Sequence, residues 1–512
     1  MVRFKSTRGD ESGVSYEDAV LGGYAADGGL YVPERMPSVP PATLESWSSL
    51  SFQELAVEVL LLFAGECISA TELRDIVDRS FDKFTAGDVV PVVNIDGYHV
   101  AELFHGPTLA FKDFGQQVLC KVLDFFAMRA GRSSTLVVST TGDTGPAAIH
   151  GCLGSSSLSI VVTYPKGQIS DIQRRQMTTV NVPNVAVSAF EGSGDDMDRP
   201  IKRMTTDRAF KEAHGVTSVN SINIGRITVQ VVHYFWAYLR SIDRIEGATI
   251  GQPLHFAIPT GAMGNVTAGV FAQRMGCPIA AFGCGVNANN ILHRAVAHGT
   301  FHQRPMVRTL SEAINIGVPY NFERVLYFLT EGDTAAVSAM MAEVDAPPAA
   351  ALTLPAPILA KLRNTVHAAT IEDETMLETI RSYWRDHSYL LDPHSAVCLA
   401  AASVLGLPKN STCSARKGFS VGTVCLSTAH PCKFEEALAS AFEATDDFWA
   451  GALRPGKLAG TTHMPASAAA LAGMPEVGWP DFVEDPPGAE LEEVQVGWEA
   501  RLREMVIEIG QQ

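Results

Sequence analysis

The sequence predicts an α/β fold of largely parallel sheets with helices on both faces, preceded by a helical N-terminal region. Three observations predict it. From Lys112 onward, short apolar runs of strand length alternate with helix-length segments, the signature of sheets joined through crossover helices. The strongest polar motifs stand directly after strands, and open α/β sheets place their ligand sites at the carboxyl ends of strands. Residues 1 to about 95 instead carry helix-start signals.

In chain order, Ser15-Tyr-Glu-Asp18 and Ser51-Phe-Gln-Glu54 read as capped helix starts, with Asp18 in place of the usual Glu or Gln. Val89–Val93 reads as a short strand, and Gln116–Met128 as a helix. Strands are then expected at Leu136–Ser139, Leu158–Thr163, Asn184–Ser188, Leu254–Ile258, Pro278–Gly283 and Val421–Leu426. The Pro/Ala-rich Ala346–Pro357 and the polar Lys409–Lys417 read as surface connectors. The tail after about residue 445 reads as acidic and partly helical.

With 512 residues, 46% of them hydrophobic and 19% charged, the chain has room for two or three domains and a sizeable core. A formal net charge of -17 argues against a general nucleic-acid binder, though a local cationic pocket would still accept a small anion. No stretch is apolar for about 18 residues, so no membrane span is expected. The first residues are basic but lack the apolar run of a signal peptide, and cytoplasm is the expected location. Nine cysteines, an odd number with no C-x-x-C pair, read as reduced thiols. No His/Cys/Asp set has metal-ligand spacing, so no metal is expected.

Candidate chemistry centres on Lys112, within Glu102-Leu-Phe-His-Gly-Pro-Thr-Leu-Ala-Phe-Lys-Asp-Phe-Gly115. A lysine at the mouth of an apolar site loses water, which lowers its pKa and frees the amine as a nucleophile; most lysines beside an aspartate, however, are solvated ion pairs, and the local pattern alone favours that reading. Gly261-Ala-Met-Gly-Asn265 follows a strand and opens a helix. It reads as a plain turn or as a phosphate cup of backbone N–H groups. Thr140-Thr-Gly-Asp-Thr-Gly145 makes a second such turn. Its Asp143 is expected to point outward, away from any bound anion. Lys166, Ser170, Gln173 and Arg174 cluster as for a phosphate ester, or as a solvated basic face. His394 and His430 read as structural.

Five of these strings, in order, resemble the threonine synthase family of pyridoxal 5'-phosphate (PLP) enzymes, fold type II, the tryptophan synthase β-like fold. They are the Lys112 segment, Ser139-Thr-Thr-Gly-Asp-Thr-Gly145, Tyr164-Pro-Lys-Gly-Gln-Ile-Ser170, Pro259-Thr-Gly-Ala-Met-Gly-Asn265 and Leu426-Ser-Thr-Ala-His-Pro-Cys-Lys-Phe434. The opening segment, Ser6–Gly9 through Asp27–Pro33, matches too. The resemblance implies that Lys112 carries PLP and is the catalytic residue, that Gly261, Ala262, Met263, Gly264 and Asn265 hold the cofactor phosphate, and that the Thr428 hydroxyl approaches the ring nitrogen. It implies a substrate site at Thr140, Thr141, Gly142, Asp143 and Thr144, with Lys166, Ser170 and Arg226 toward the substrate phosphate and Asn223 toward either that phosphate or the PLP phenolic oxygen. The implied reaction converts O-phospho-L-homoserine and water to L-threonine and phosphate. Ala262-Met263, where synthases usually have Asn-Phe, looks more like the threonine-synthase-like phospho-lyases, which release 2-oxobutyrate and ammonia. A catalytically idle PLP-binding protein is the third reading. The expected organisation is an N-terminal region over 1–95, a large PLP-binding domain over 96–130 and 233–445, a small α/β domain over 131–232, and an extension over 446–512. The expected assembly is a monomer or homodimer.

Overall fold

The computed structural model describes residues 2–346, 351–410, 420–443, 464–482 and 490–511. Its strands are β1 (Phe4–Ser6), β2 (Tyr31–Pro33), β3 (Val92–Ile95), β4 (Tyr98–Glu102), β5 (Ser134–Ser139), β6 (Leu158–Pro165), β7 (Val185–Phe190), β8 (Val216–Ser218), β9 (Leu254–Pro259), β10 (Ile279–Val286), β11 (Thr300–Phe301), β12 (Leu352–Thr353), β13 (Val366–Thr370) and β14 (Thr423–Ser427). A six-stranded sheet runs β13-β10-β9-β14-β4-β3, parallel except where β3 meets β4. A four-stranded sheet, β7-β6-β5-β8, is parallel throughout.

The predicted α/β class with its helical N-terminal region is the observed one. Ser15 caps helix Tyr16–Gly22, and Ser51 with Glu54 forms a full capping box on helix Phe52–Ala64. The strand expected at Val89–Val93 starts later, at Val92. Val89 adopts a positive φ of 54° and Pro91 has no N–H to give a ladder. β4, β8 and β13 went unread, being short and mixed with His, Glu, Ser or Thr. Part of the expected connector Ala346–Pro357 is β12, paired with β11; its residues 347–350 lie outside the described residues, as does most of the connector at Lys409–Lys417.

Helix Ile224–Ile242 is buried along nearly its whole length and packs on helices Phe52–Ala64, Lys112–Arg129 and Gly264–Met275. This shared helical layer explains the near-continuous apolar run Ile227–Leu239. Helix Lys112–Arg129 also packs on helix Thr144–Cys152 of the smaller sheet, with Gln117 donating to the Ala147 carbonyl at 3.1 Å. The tail helix Leu491–Ile509 buries Trp498, Leu502 and Val506 against Phe190, Val161 and Ile201 of the smaller sheet and its helices. Among the described residues, no helix is long and apolar enough to cross a membrane.

Candidate active site

The carboxyl ends of β5, β8, β9 and β14 converge on one cleft between the two sheets. Lys112, Ser139, Thr140, Thr141, Asp143, Thr144, Asn220, Ser221, Arg226, the segment Pro259–Val266 and Thr428 line it. Residues distant in the sequence thus meet because each follows a strand end.

Lys112 is the first residue of its helix. The loop before it is pinned: Phe111 N–H donates to the Thr428 carbonyl at 2.8 Å, and Leu109 holds a positive φ of 63°. The neighbouring Asp113 does not pair with Lys112. It is fully buried and accepts from Thr108 N–H at 2.9 Å and Thr108 Oγ1 at 2.7 Å. Lys112 Nζ lies 4.4 Å from the Phe111 ring centroid. Burial pushes its amine down, and the guanidinium of Arg226 pushes it further; Asp143 opposes them, and the balance rests at about 7. A lysine so placed is substantially neutral at physiological pH, the form that attacks carbonyl carbon.

Arg226 is 1% exposed. No carboxylate pairs with it among the described residues; Nη1 donates only a long 3.4 Å bond to the Val219 carbonyl, and Nε has no partner. Burial lowers its pKa to about 10. Asn265, second residue of helix Gly264–Met275, has its Oδ1 held by Tyr234 OH at 2.9 Å and His233 Nε2 at 3.0 Å, while its Nδ2 has no partner. Ser139 Oγ is likewise buried without a partner. Buried donors in this state call for an anion or an acceptor-rich ligand.

The glycine turn is tight. A Cβ on Gly261 would come within 3.0 Å of Ile316 Cγ1, and one on Gly264 within 3.2 Å of Ser221 Cβ. Met263 between them takes φ 59°, costly for a side chain of that size. At the facing turn, Thr140 Oγ1 accepts from the N–H groups of Gly142 and Gly145 at 3.0 Å each, so this hydroxyl shapes the turn itself. Gly142 does not line the cleft; its φ of 125° is one that L residues rarely adopt. These features fit a phosphate-bearing aldehyde cofactor: a nucleophilic amine, a glycine turn at a helix start, and unpartnered donors.

The expectation that Asp143 points outward is overturned. It is 4% exposed, pairs with Lys433 Nζ at 2.7 Å, and accepts from Gln173 Nε2 at 3.0 Å. Burial alone would push its carboxyl up, but Lys433 and His394 hold it below the ordinary range. Lys166 lies outside the cleft lining, half-exposed, and pairs with Glu191 at 3.3 Å and Asp481 at 3.7 Å. Ser170 caps helix Asp171–Thr178 in a reciprocal box with Gln173, also outside the lining. Asn223 is buried with its amide in use: Oδ1 accepts from Gly225 N–H, and Nδ2 donates to the carbonyls of Val20 and Ser218. Arg226 alone of these four lines the cleft.

Sequence reasoning missed Tyr24, Asp195, Asp198 and Tyr320, which also line the cleft, and read as structural His394, which lines it too and whose Nε2 accepts from Ala313 N–H at 3.0 Å. Only His394 carried a sequence signal, in Asp392-Pro-His394, where Asp392 caps the helix and bonds the ring.

A two-sheet α/β body with a lysine opening a helix at the cleft between the sheets defines a fold type II PLP enzyme. A family model for the threonine synthase N terminus matches residues 3–81. Threonine synthase-like 2 of Mus musculus is 38% identical over 441 residues, covering 86% of this chain and 89% of that protein. Threonine synthase of Pseudomonas aeruginosa is 35% identical over 444 residues, covering 86% and 90%. The crystal structure of PLP-bound threonine synthase from Brucella melitensis superposes with a TM-score of 0.81 at 32% identity, covering 98% of this chain and 100% of that one. The chain belongs to the threonine synthase family.

Proposed function

We propose that the chain is a PLP-dependent lyase that converts O-phospho-L-homoserine and water to L-threonine and phosphate. The observation that carries this reading is Arg226: a buried guanidinium without a carboxylate partner among the described residues, in the same cleft as Lys112. One chamber thus offers a neutral amine and an unmatched cation, the complement of an aldehyde cofactor and a phosphorylated amino acid.

Lys112 would hold the cofactor, with its phosphate on the Gly261–Asn265 turn and Thr428 at its ring. When bound, the cofactor supplies an electron sink for charge developing on the substrate. Lys112, with a proton affinity poised near neutrality, takes protons from Cα and Cβ and delivers protons to Cα and Cγ, while the remaining proton of the added water leaves with the phosphate. Arg226 receives the phosphate that leaves from Cγ, and the Thr140–Thr144 turn receives the substrate carboxylate with the hydroxyls of Thr141 and Thr144. The oxygen of water ends on Cβ. Lys166 and Ser170 have no direct part in this reading.

A second reading stops before water adds at Cβ and releases 2-oxobutyrate, ammonia and phosphate. Ala262-Met263 favours it, as does the 38% identity to threonine synthase-like 2 against 35% to the bacterial synthase. Incubating the PLP-loaded chain with O-phospho-L-homoserine and identifying the products separates the two. Threonine with stoichiometric phosphate supports the first reading; 2-oxobutyrate with ammonia supports the second. Absence of phosphate release refutes both.

A further inference from the structure

The Thr140–Thr144 turn and the Lys112 loop belong to different sheets, and a fully buried ion pair joins them. Lys433, in the short turn Pro431–Lys433 beyond β14, has a side chain with no exposed surface and lines no part of the Lys112 cleft. Its Nζ lies 2.7 Å from Asp143 Oδ1 and donates to the Thr108 carbonyl at 2.9 Å. Thr108 in turn gives its N–H and hydroxyl to Asp113, next to Lys112. Helix Asp171–Thr178 grips the same two points: Gln173 donates to Asp143, and Gln176 donates to the Thr108 carbonyl at 3.1 Å. One ammonium therefore touches the 140s turn and the loop leading to Lys112, from a segment that also carries Thr428.

A buried ion pair is a weak source of stability, because desolvating both charges offsets their attraction. Its clearer product is geometry. Fixed partners in a low-dielectric interior hold surrounding elements in one arrangement.

We infer that Lys433 is a positioning residue: with Asp143 it fixes the Thr140–Thr144 turn against the Lys112 loop and sets the gap that a phosphorylated amino acid must bridge. This rests on the proposed reading of the cleft. The other charged or titratable groups around the pair are Lys112 and Asp113 from one helix, Arg226 beside Lys112 from another, His394, Glu312 beside the 313–318 loop, and His430 and Cys432 from Lys433's own turn.

The test compares Lys433→Met, Asp143→Asn and the double variant as full-length PLP-loaded chains. Each single variant is expected to melt below the parent, since one charge stays buried without its partner. The double variant is expected to regain most of that loss. Its KM for O-phospho-L-homoserine is nonetheless expected to stay raised by about tenfold, with the loss on KM rather than kcat. A KM that recovers together with the melting temperature overturns the inference, because the pair then only holds the fold. Where the double variant fails to fold, the isosteric Asp143→Asn carries the same KM-against-kcat comparison. A readout independent of substrate is the pH profile of Lys112 acylation by acetic anhydride in the cofactor-free full chain, read on the Lys112 peptide. The parent midpoint is expected near 7. Lys433→Met should raise it and Asp143→Asn lower it, each by about one pH unit, as removal of a facing cation and a facing anion requires. Unshifted midpoints overturn the inference. A parent without turnover on O-phospho-L-homoserine refutes the proposed function, and the double variant's acylation midpoint, where the two opposite charge effects offset each other, then decides the clamp: a return to the parent value overturns it.

Discussion

Replacing Arg226 with methionine should move stability and binding in opposite directions. The side chain is 1% exposed, without a carboxylate partner among the described residues, and burial lowers its pKa to about 10. That lowering corresponds to roughly 3 kcal/mol by which folding penalises the charged form. Methionine has similar reach and no charge, so the cofactor-free chain should gain up to about that amount, less the long bond to the Val219 carbonyl, which is worth at most about 1 kcal/mol. The same change removes a charge-assisted contact to phosphate worth roughly 1.5–3 kcal/mol, about ten- to hundredfold in kcat/KM on O-phospho-L-homoserine. Differential scanning fluorimetry of the cofactor-free chain reads the first quantity; steady-state kinetics and PLP titration read the second. The Lys112 amine should also titrate above 7, since a neighbouring cation has gone. A variant that melts lower and keeps its kcat/KM would refute the reasoning, because Arg226 would then be a structural residue without an external anion.

Lys112→Ala should abolish turnover and the visible absorbance of the lysine-bound cofactor, checked by spectrophotometry before and after borohydride treatment. In the parent, the rate of PLP attachment should rise about tenfold per pH unit below 7 and level off above it, since only the neutral amine attacks and its pKa is lowered to about 7; stopped-flow absorbance across pH 5.5–8.5, a range set roughly around that value, reads this. Gly264→Val should weaken PLP retention on dialysis, because its branched side chain starts only 3.2 Å from Ser221 Cβ in the turn where backbone must approach the phosphate. Lys166→Ala should change kcat/KM by less than about threefold, as expected for an exposed pair remote from the cleft; a loss of tenfold or more would bring Lys166 back to the substrate phosphate.

What was legible in the sequence was whatever a contiguous string determines. Strand followed by glycine turn followed by helix start can be read locally, and it marked the turns at Thr140–Gly145 and Gly261–Asn265; Lys112 and Thr428 were marked by the family resemblance, and all four segments reach one cleft. The string Ser170-Asp-Ile-Gln173 also carried its own answer: serine followed three residues later by glutamine is a capping box, and the helix uses both side chains for it. Chemically apt residues next to each other had suggested a phosphate ester instead. Lys166 was misplaced for another reason. Its carboxylate partners come from Glu191 and from Asp481 in the tail, so no local pattern reveals that they engage its charge. Asp143 shows the same limit with the sign reversed. Charge logic sends a carboxylate away from an anion site unless a buried cation neutralises it, and Lys433 is far along the chain. Arg226 inverts the problem. In a chain with 56 acidic residues against 39 Lys and Arg, nearly any buried guanidinium would be expected to find a carboxylate, as Arg8 does with Glu323 at 2.9 Å. None reaches Arg226 among the described residues. Arg324 is as deeply buried and likewise pairs with no carboxylate among the described residues, but its donors reach the carbonyls of Tyr31 and Ile222 and Asn321 Oδ1. Arg226 has only one long bond and an unpartnered Nε beside an amine held near neutrality, which leaves its donors to an anion brought from outside.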